Sequence, residues 1–526
     1  MQNLYSNMVL LYSNARVPDA PAAGEGKAVP LMTSIVIAEP AAPTQKPDKG
    51  LRAGALGLVS SVVIAVSSTA PAYSMAATLG LIVAIVGVHS PGTLIVSFLP
   101  MLCIAYAFRE LNKADPDCGI TFTWAARAFG PRTGWMGGWG IIAADVIVMA
   151  SLSQIAGRYF LDLIGLGGAG TVWVTAAGVA FIALLTGVCY RGIEVSARLQ
   201  QVLLAVEVAT LTVFAVVALV KAGTGHALPG AAHPGIGWLN PWTGSFGSLS
   251  NSFLLAVFVY WGWDCALSVN EETKDSARTP GRAAIMATLM LVAIFAVISA
   301  ASLAYAGPAF LAAHNTDVLS AMASSVLGST PGKLLVLCVL TSTAASAQTT
   351  IMPTARAALA MSAHGALPRW FARMHPRYRT PTVATLVMGI VSALFFVLLT
   401  AVSKNVLADS AASVGLLIAF YYGLTGFACV WFFRRDLLRG PRALLVKGIL
   451  PLLGGLTLLG AFVLSIKSYW PAASSYSSFH GIGGIFLIGV GSLLVGVIIM
   501  VVTSRFLPRY FADGITAPAQ GEGSTP

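Results

Sequence analysis

The stretch Val66-Ser67-Ser68-Thr69-Ala70-Pro71-Ala72-Tyr73-Ser74 interrupts an apolar run that extends from about residue 55 to residue 88. Pro71 cannot donate a hydrogen bond to a helix ladder, and the three hydroxyl residues before it can satisfy backbone groups that a broken helix leaves free. The run is long enough to cross about 30 Å of hydrocarbon. We therefore predict a transmembrane helix that is broken near its middle.

A second apolar run, from about residue 250 to residue 272, has an interruption of its own at Phe258-Val259-Tyr260-Trp261-Gly262-Trp263-Asp264-Cys265. Gly262 gives the backbone freedom to turn there. Taken singly, either interruption is more simply interpreted as a kink or a close packing contact, because Gly and Pro are common in membrane helices. Together they suggest a substrate site near the bilayer midplane, because discontinuous helices at matching positions of two repeats build such sites.

The whole chain has the composition of a helical membrane protein. Of its 526 residues, 56% are hydrophobic and 10% are charged, with a mean hydropathy of +0.80. Soluble domains contain about a quarter charged residues. The apolar runs do not alternate as the strands of a barrel do. We predict an all-α polytopic membrane protein with twelve spans, at about residues 55–88, 92–112, 133–163, 171–190, 196–221, 250–272, 283–306, 333–362, 381–402, 408–433, 444–467 and 481–504.

Basic residues concentrate on one side of the predicted membrane. Of the 31 Lys and Arg residues, 26 fall in the tails and in the loops of one side, and five fall on the other side: Arg158, Lys221, Lys333, Lys404 and Lys467. The positive-inside rule then places both termini in the cytoplasm. The net charge of +11 thus reflects topology, and the expected surroundings are a lipid bilayer with no nucleic acid. We predict a multi-pass plasma membrane protein with a transmembrane domain at 51–510 and disordered cytoplasmic tails at 1–50 and 511–526.

A helix broken in mid-membrane exposes the partial charges that an intact helix shows only at its ends. Free N–H groups near Tyr73 would attract an anionic group, while the carbonyls of residues 67–70 and 260–263 would receive an ammonium or a metal cation. A zwitterion fits such a site. The predicted substrate-binding residues are Ser67, Ser68, Thr69, Ala70, Tyr73, Ser74, Tyr260, Trp261, Gly262 and Trp263. Tyr260 and Trp261 are expected to occlude the substrate, unless they only fill the core.

Three carboxylates lie inside predicted spans: Asp145 in span 3, Glu207 in span 5 and Asp264 in span 6. Ionisable groups at this depth are costly, so each is a candidate for proton coupling. The alternative is a structural acceptor that joins neighbouring helices. We prefer that alternative for Asp145 and Glu207, and for Asp264 the two interpretations are balanced because it adjoins the break.

Three segments carry recognisable motifs. Arg356-Ala-Ala-Leu-Ala-Met361-Ser-Ala-His-Gly365-Ala-Leu367-Pro368-Arg-Trp-Phe371 follows span 8, and Pro116-Asp-Cys-Gly119-Ile-Thr-Phe-Thr-Trp124 joins spans 2 and 3. Trp261-Gly262-Trp263-Asp264, with Asn270-Glu271-Glu272, forms span 6 and its exit. These segments resemble the amino acid-polyamine-organocation (APC) transporter superfamily, and the resemblance covers roughly residues 50–510.

The resemblance implies a five-plus-five inverted repeat with broken helices 1 and 6, plus two extra helices. It also implies alternating access, with a small amine-bearing solute held at the two breaks and no cofactor. One departure is notable: many members carry a glycine-rich stretch at the first break, whereas this chain has Ser67-Ser68-Thr69-Ala70-Pro71.

Coupling and gating residues are less clearly indicated. Some superfamily members place a buried amine on span 5, but no lysine stands inside that span here. Thr343 and Ser346 on span 8 are weak sodium-site candidates, and close helix packing is the preferred explanation for them. Glu272, at the acidic exit of span 6, is a gating candidate, with a solvated helix end as the alternative.

The sequence therefore predicts a secondary active transporter that moves an amino acid by alternating access, coupled to protons rather than sodium or working by exchange. The alternative substrate is a polyamine or another organic amine. A membrane-embedded enzyme is disfavoured, because the chain lacks HExxH, GxSxG and any intramembrane His pair.

Overall fold

A computed structural model describes residues 48–515, apart from residues 244, 316 and 404. Most of both predicted tails lies outside the described residues, so their predicted disorder stays a prediction. At both boundaries, however, ordered structure extends past the predicted domain of 51–510. Lys49 is buried, and the last helix reaches Asp513.

The described chain is almost entirely helical. Its α-helices are α1 (Leu58–Thr69), α2 (Pro71–Val86), α3 (Ser90–Ala114), α4 (Thr121–Phe129), α5 (Pro131–Leu163), α6 (Thr171–Tyr190), α7 (Ile193–Gly223), α8 (Phe246–Val259), α9 (Cys265–Ser268), α10 (Thr279–Ala313), α11 (Val318–Leu327), α12 (Ser329–Ala363), α13 (Thr382–Val402), α14 (Val406–Phe432), α15 (Leu450–Tyr469), α16 (Gly484–Phe506) and α17 (Pro508–Asp513). A helical turn at Pro441–Ala443 and a π-helical segment at Leu444–Ile449 lead into α15. Strands β1 (Ser478–Phe479) and β2 (Ile482–Gly483) form one antiparallel hairpin.

Ten helical stretches within the described residues are long and apolar enough to cross a bilayer. One of them, Leu58–Ala114, has 57 residues and includes the 3₁₀ turn Gly87–His89. At 1.5 Å per residue a helix of that length would measure about 85 Å, so the stretch has room for more than one crossing. The 14-residue α8 falls outside the ten because it is short. These two cases are compatible with twelve spans, and that count stays a prediction.

Both predicted helix breaks are present. A single residue, Ala70, separates α1 from α2, and its left-handed conformation (φ 48°, ψ 71°) ends the first helix. Pro71 then begins α2, at a position where a missing N–H costs nothing. In span 6, residues 260–264 lie between α8 and α9, and Gly262 has a φ of +118°.

The two breaks touch each other in the core of the bundle. A Cβ atom added at Gly262 would lie 2.8 Å from the carbonyl carbon of Ser68 and 2.9 Å from the Thr69 nitrogen. Helices α3, α5, α10, α12 and α14 pack around and beside this contact. Helices such as α6, α13 and α16 instead expose large apolar side chains, as expected for surfaces that face lipid. The breaks therefore lie inside the protein and away from the lipid-facing surface.

Candidate substrate site

The break in span 1 is shorter than the sequence predicts. Residues 67–69 were expected to unwind, but they remain the last turn of α1. The Ser68 carbonyl accepts the Ser346 hydroxyl at 2.8 Å, and the Thr69 carbonyl accepts the Ser74 hydroxyl at 2.6 Å. The prediction of free carbonyls in this run is wrong for these two residues, because nearby hydroxyl groups have taken them.

The Ala70 turn is closed by backbone hydrogen bonds as well. Its N–H reaches the carbonyls of Val66 and Ser67, both at 3.2 Å, and its own carbonyl accepts the Ser74 N–H at 2.8 Å. One left-handed residue is thus enough to change the direction of the chain without a longer unwound segment. The Ser67 hydroxyl is buried and has no partner among the described residues.

The amino-terminal end of α2 carries a carboxylate of the protein itself. The Ala72 N–H donates to Glu207 Oε1 at 2.8 Å, and the Ser342 hydroxyl donates to the same oxygen at 2.7 Å. The Tyr73 N–H donates to Ser342 Oγ at 3.4 Å. The prediction of free N–H groups near Tyr73 is therefore wrong, because α7 and α12 bring acceptors to them.

Free backbone groups are found instead at the break in span 6. The N–H groups of Gly262 and Trp263 and the carbonyls of Tyr260 and Trp261 have no hydrogen-bond partner within the described residues. The turn itself is held by the Cys265 N–H, which donates to the Gly262 carbonyl at 3.0 Å. Span 6 therefore offers a solute both donors and acceptors.

Asp264 and Asp145 belong to a polar cluster next to this break. The Tyr421 hydroxyl donates to Asp264 Oδ2 at 3.0 Å and accepts the indole N–H of Trp261. Asp145 accepts the hydroxyl of Thr354, and the two carboxylates lie near enough to interact electrostatically. No Lys, Arg or His side chain contacts either carboxylate in the part of the chain that the structure describes.

The aromatic residues at the breaks are buried. Tyr260 packs against Phe98 and Phe295, with ring centroids 6.0 and 5.2 Å away, and its hydroxyl has no partner among residues 48–515 as described. The Tyr73 hydroxyl lies 2.8 Å from that of Ser151. Trp261 is 8% exposed, so these rings close the region around the breaks. Their predicted role in occlusion stays a prediction.

Three further aromatic rings, those of Trp263, Phe108 and Tyr422, pack together next to the span 6 break. Trp263 packs edge to face on Phe108 and lies 5.0 Å from the ring centroid of Tyr422. The indole N–H of Trp263 is buried without a partner within the described residues. It is a further hydrogen-bond donor at this break.

The two sodium candidates are placed differently. The Ser346 hydroxyl lies at the break, on the Ser68 carbonyl. The Thr343 hydroxyl donates within its own helix to the Val339 carbonyl at 2.7 Å. The Ser346 hydroxyl oxygen and the Ser68 carbonyl oxygen are thus together at the break, while Thr343 makes no hydrogen bond to it.

Glu272 takes part in a buried ion pair at the end of the bundle that is predicted to face the cytoplasm. Its carboxylate accepts Arg356 Nε at 2.8 Å and a second guanidinium nitrogen at 3.1 Å. The Glu272 carbonyl accepts the Leu56 N–H, and the Leu56 carbonyl accepts the Lys274 N–H. The segment before α1 is thereby joined to the exit of span 6.

A second buried group, which we call the Lys49 cluster, consists of Lys49, Asp117, Cys118 and Glu271. Lys49 Nζ lies 2.8 Å from Asp117 Oδ2, 2.6 Å from Glu271 Oε1 and 3.4 Å from Cys118 Sγ. Glu271 also accepts the Cys118 N–H at 2.9 Å, and His364 Nε2 lies 3.3 Å from Asp117 Oδ2. The cluster joins three loops that are far apart in sequence.

Charge balance in the Lys49 cluster favours the ionised forms of Lys49 and Asp117. Burial disfavours a charged amine, but the carboxylates of Asp117 and Glu271 hold the pKa of Lys49 well above its usual value. Burial likewise opposes ionisation of Asp117, yet Lys49 and His364 hold the pKa of that carboxyl well below its usual value. Burial, followed by the Glu271 carboxylate, raises the pKa of the Cys118 thiol, which therefore stays protonated.

Sequence reasoning missed several of these partners. Lys49 falls within the predicted tail, and Asp117 was part of a motif without an assigned role. Tyr421 and Thr354 are neutral residues inside apolar helices, where only a folded structure shows what they contact. Ser342 carried a signal, since it belongs to the run of hydroxyl residues on span 8.

Comparison with known proteins identifies the kind of protein that carries these paired breaks. Residues 56–503 match the family model for amino acid permeases. The chain belongs to the amino acid permease family. This permease is accordingly a multi-pass membrane transporter and not an enzyme.

Curated relatives of the permease are transporters too. It is 29% identical to an uncharacterized transporter of Mycobacterium tuberculosis over 347 residues, which cover 64% of this chain and 72% of the relative. It is 24% identical to the branched-chain amino acid permease BcaP of Bacillus subtilis over 398 residues, or 72% of this chain and 80% of the relative. It is 22% identical to the arginine/ornithine antiporter ArcD2 of Lactococcus lactis over 363 residues, or 64% and 72%.

Proposed function

We propose that this permease carries an amino acid across the plasma membrane by alternating access. The observation that carries the proposal is the contact between the two helix breaks, where Gly262 lies against Ser68 in the core of the bundle. Broken spans that meet in this way expose backbone dipoles to a small solute without exposing them to lipid.

The groups that would hold the substrate's ammonium are the carbonyls of Tyr260 and Trp261. They have no partner within the described residues, and the Asp264 carboxylate lies beside them on the same break. Carbonyl oxygens and a carboxylate are suitable acceptors for a buried cation. The buried rings of Tyr260 and Trp261 would cover the solute on binding.

Coupling to protons is the preferred mode. Asp145, Glu207 and Asp264 are each buried, and no Lys, Arg or His in the described residues contacts them. Ionisable groups at this depth are costly and usually functional, so each of these carboxylates is a candidate to take up and release a proton. Sodium coupling is less well supported, because Thr343 donates within its own helix.

A second candidate substrate is an organic amine without a carboxylate. The neighbouring Asp145 and Asp264 favour it, because a second amine would gain a carboxylate partner. The names of the relatives point to branched-chain amino acids and to arginine and ornithine as the first solutes to test.

The decisive experiment is uptake by the purified full-length protein in proteoliposomes. Radiolabelled leucine, arginine, ornithine and putrescine are each supplied under an imposed proton or sodium gradient. We expect accumulation of one amino acid driven by the proton gradient, or its exchange against internal amino acid. Transport of putrescine alone would replace the amino acid by an amine, and uptake that requires sodium would exclude the proton mechanism.

Replacement of Asp264 tests the coupling role directly. We expect Asp264→Asn to abolish proton-driven accumulation and to spare exchange, because exchange needs no net proton movement. The matched control is Asp409→Asn, which alters a buried carboxylate held by Ser403 and lying about 18 Å along α14 from Tyr421, the residue of that helix that contacts Asp264. Normal accumulation by Asp264→Asn at normal expression would remove Asp264 from this role.

A further inference from the structure

All the hydrogen-bond donors of the first turn of α2 have acceptors within the protein. Pro71 has no N–H, and the Ser74 N–H returns to the Ala70 carbonyl at 2.8 Å. The two N–H groups between them go to Glu207 and Ser342. The site that would attract the carboxylate of an amino acid is therefore already filled by the Glu207 carboxylate.

A glutamate at this position buries an ionisable group where a neutral acceptor could make the same hydrogen bonds. Glu207 is 1% exposed and sits on α7, 135 residues from Ala72. A glutamine could accept the same N–H and the same hydroxyl without burying a negative charge. Ionisable groups within the membrane are costly and are usually functional. A purely structural acceptor would not require the charge.

We propose that Glu207 takes the place of the substrate's carboxylate in the empty carrier, and that a bound substrate takes over these donors once Glu207 is protonated. This proposal rests on the proposed function. Glu207 takes up a proton from the solution as an O–H bond while the substrate brings in its own carboxylate, so that one negative charge, now the substrate's, remains at the α2 terminus. The Ala72 N–H and the Ser342 hydroxyl pass from one carboxylate to the other.

The helix dipole favours this place over the free N–H groups of span 6. α2 has 16 residues, whereas α9 has four, so the positive end of a substantial dipole lies at Ala72. The buried Ser67 hydroxyl, unpartnered within the described residues, lies in the turn just before Ala70 and is a further donor for a carboxylate.

Few charged residues lie near Glu207: on α7 itself the others are Glu194, Arg198 and Lys221, at least nine residues or about 13 Å away along the helix. Helices α1, α2, α6, α10, α11 and α12 pack against α7. Of these, α1, α2, α6 and α11 contain no charged residue, and α10 contains only Arg282. On α12, Lys333 and Arg356 lie nine and 14 residues from Ser342, or about 13 and 21 Å along the helix. Cys338 is a titratable neighbour, with its thiol on the Glu207 carbonyl, while Tyr73 directs its hydroxyl to Ser151.

The test compares amino acids with their decarboxylated counterparts at several pH values. Binding of arginine and agmatine, and of leucine and isoamylamine, is measured on the purified full-length protein between about pH 5.5 and about pH 8.5. We expect the affinity for the amino acid to fall up to about tenfold per pH unit as Glu207 ionises, since one proton is linked to binding. The amine, which lacks a carboxylate, should show no such loss.

The variant Glu207→Gln mimics the protonated carboxyl. It should bind the amino acid at high pH as well as at low pH. A plot of the logarithm of its dissociation constant against pH should have a slope that is smaller than the wild-type slope by about one. Asp409→Asn, a buried carboxylate outside the site, should keep the wild-type slope. An unchanged slope in Glu207→Gln would overturn the proposal and leave amino acid transport intact. Binding of amines alone would overturn the proposed function together with it.

Discussion

At the scale of single residues, Gly262 is the position on which the contact between the two breaks depends. Its φ of +118° is one that other residues rarely adopt, and a Cβ atom there would lie within 3.0 Å of the Ser68 and Thr69 backbone. We expect Gly262→Ala to lower substrate affinity at least about tenfold, with a loss of about 1–3 kcal/mol in stability from backbone strain. Binding and the thermal unfolding midpoint, measured on the same purified sample, check both effects.

A matched control for this glycine lies in α16. A Cβ atom at Gly491 would meet no atom within 4 Å, and the residue is in a regular helix. Gly491→Ala should therefore leave affinity unchanged and the unfolding midpoint unchanged or slightly raised. If Gly262→Ala behaves like Gly491→Ala, the contact between the breaks does not determine binding.

At the scale of elements, the Lys49 cluster holds the segment before α1 against the loops that follow α3 and span 6. Removing Lys49 would leave the buried Asp117 carboxylate without this cation, a loss of about 3–5 kcal/mol for a buried pair, and would also free the partly buried Glu271 carboxylate. We expect Lys49→Met to open this end of the bundle. In a Cys103→Ser background, an impermeant maleimide added to inverted membrane vesicles should label Cys118 at least about tenfold faster.

The control for this labelling experiment is Lys113→Met, which removes an exposed cation near the end of α3. Because the pKa of Lys49 lies above its usual value and that of Asp117 below its usual value, both stay charged from about pH 7.5 to about pH 9. The pair would lose its contribution only as the pH rises through the raised pKa of Lys49 or falls through the lowered pKa of Asp117. The labelling rate of Cys118 in Lys49→Met, divided by the wild-type labelling rate, should therefore be constant between about pH 7.5 and about pH 9. A ratio that changes within this range would contradict the assignment of a charged Lys49–Asp117 pair.

The sequence could predict the positions of the long helices and of their breaks, but not the contacts between helices. Apolar runs located the long helices, because hydrophobic length is a local property of the chain. Pro71 and Gly262 revealed the breaks, because both change what the backbone can do locally. The partners of the site were beyond reach: Glu207 meets Ala72 across 135 positions, and Tyr421 meets Asp264 across 157. Such contacts depend on how helices pack, and the neutral residues among them give no pattern of their own.

At the scale of the whole molecule, the predicted topology depends on whether the short, broken span 6 crosses the membrane. α8 has 14 residues, about 21 Å of helix, so it cannot cross about 30 Å of hydrocarbon without the break and α9. The predicted asymmetry of 26 basic residues against five favours a crossing, because an uncrossed span 6 would move all later basic loops to the other side.

Reporter fusions on either side of span 6 test this directly. A phosphatase that is active only outside the cytoplasm should be active when fused after Gly230 and inactive when fused after Ala277. A green fluorescent protein, which fluoresces only in the cytoplasm, should give the opposite pattern at the same two positions and should fluoresce at the C-terminus. Phosphatase activity at both positions would mean that span 6 does not cross, so that the two breaks could not belong to spans 1 and 6 of an inverted repeat.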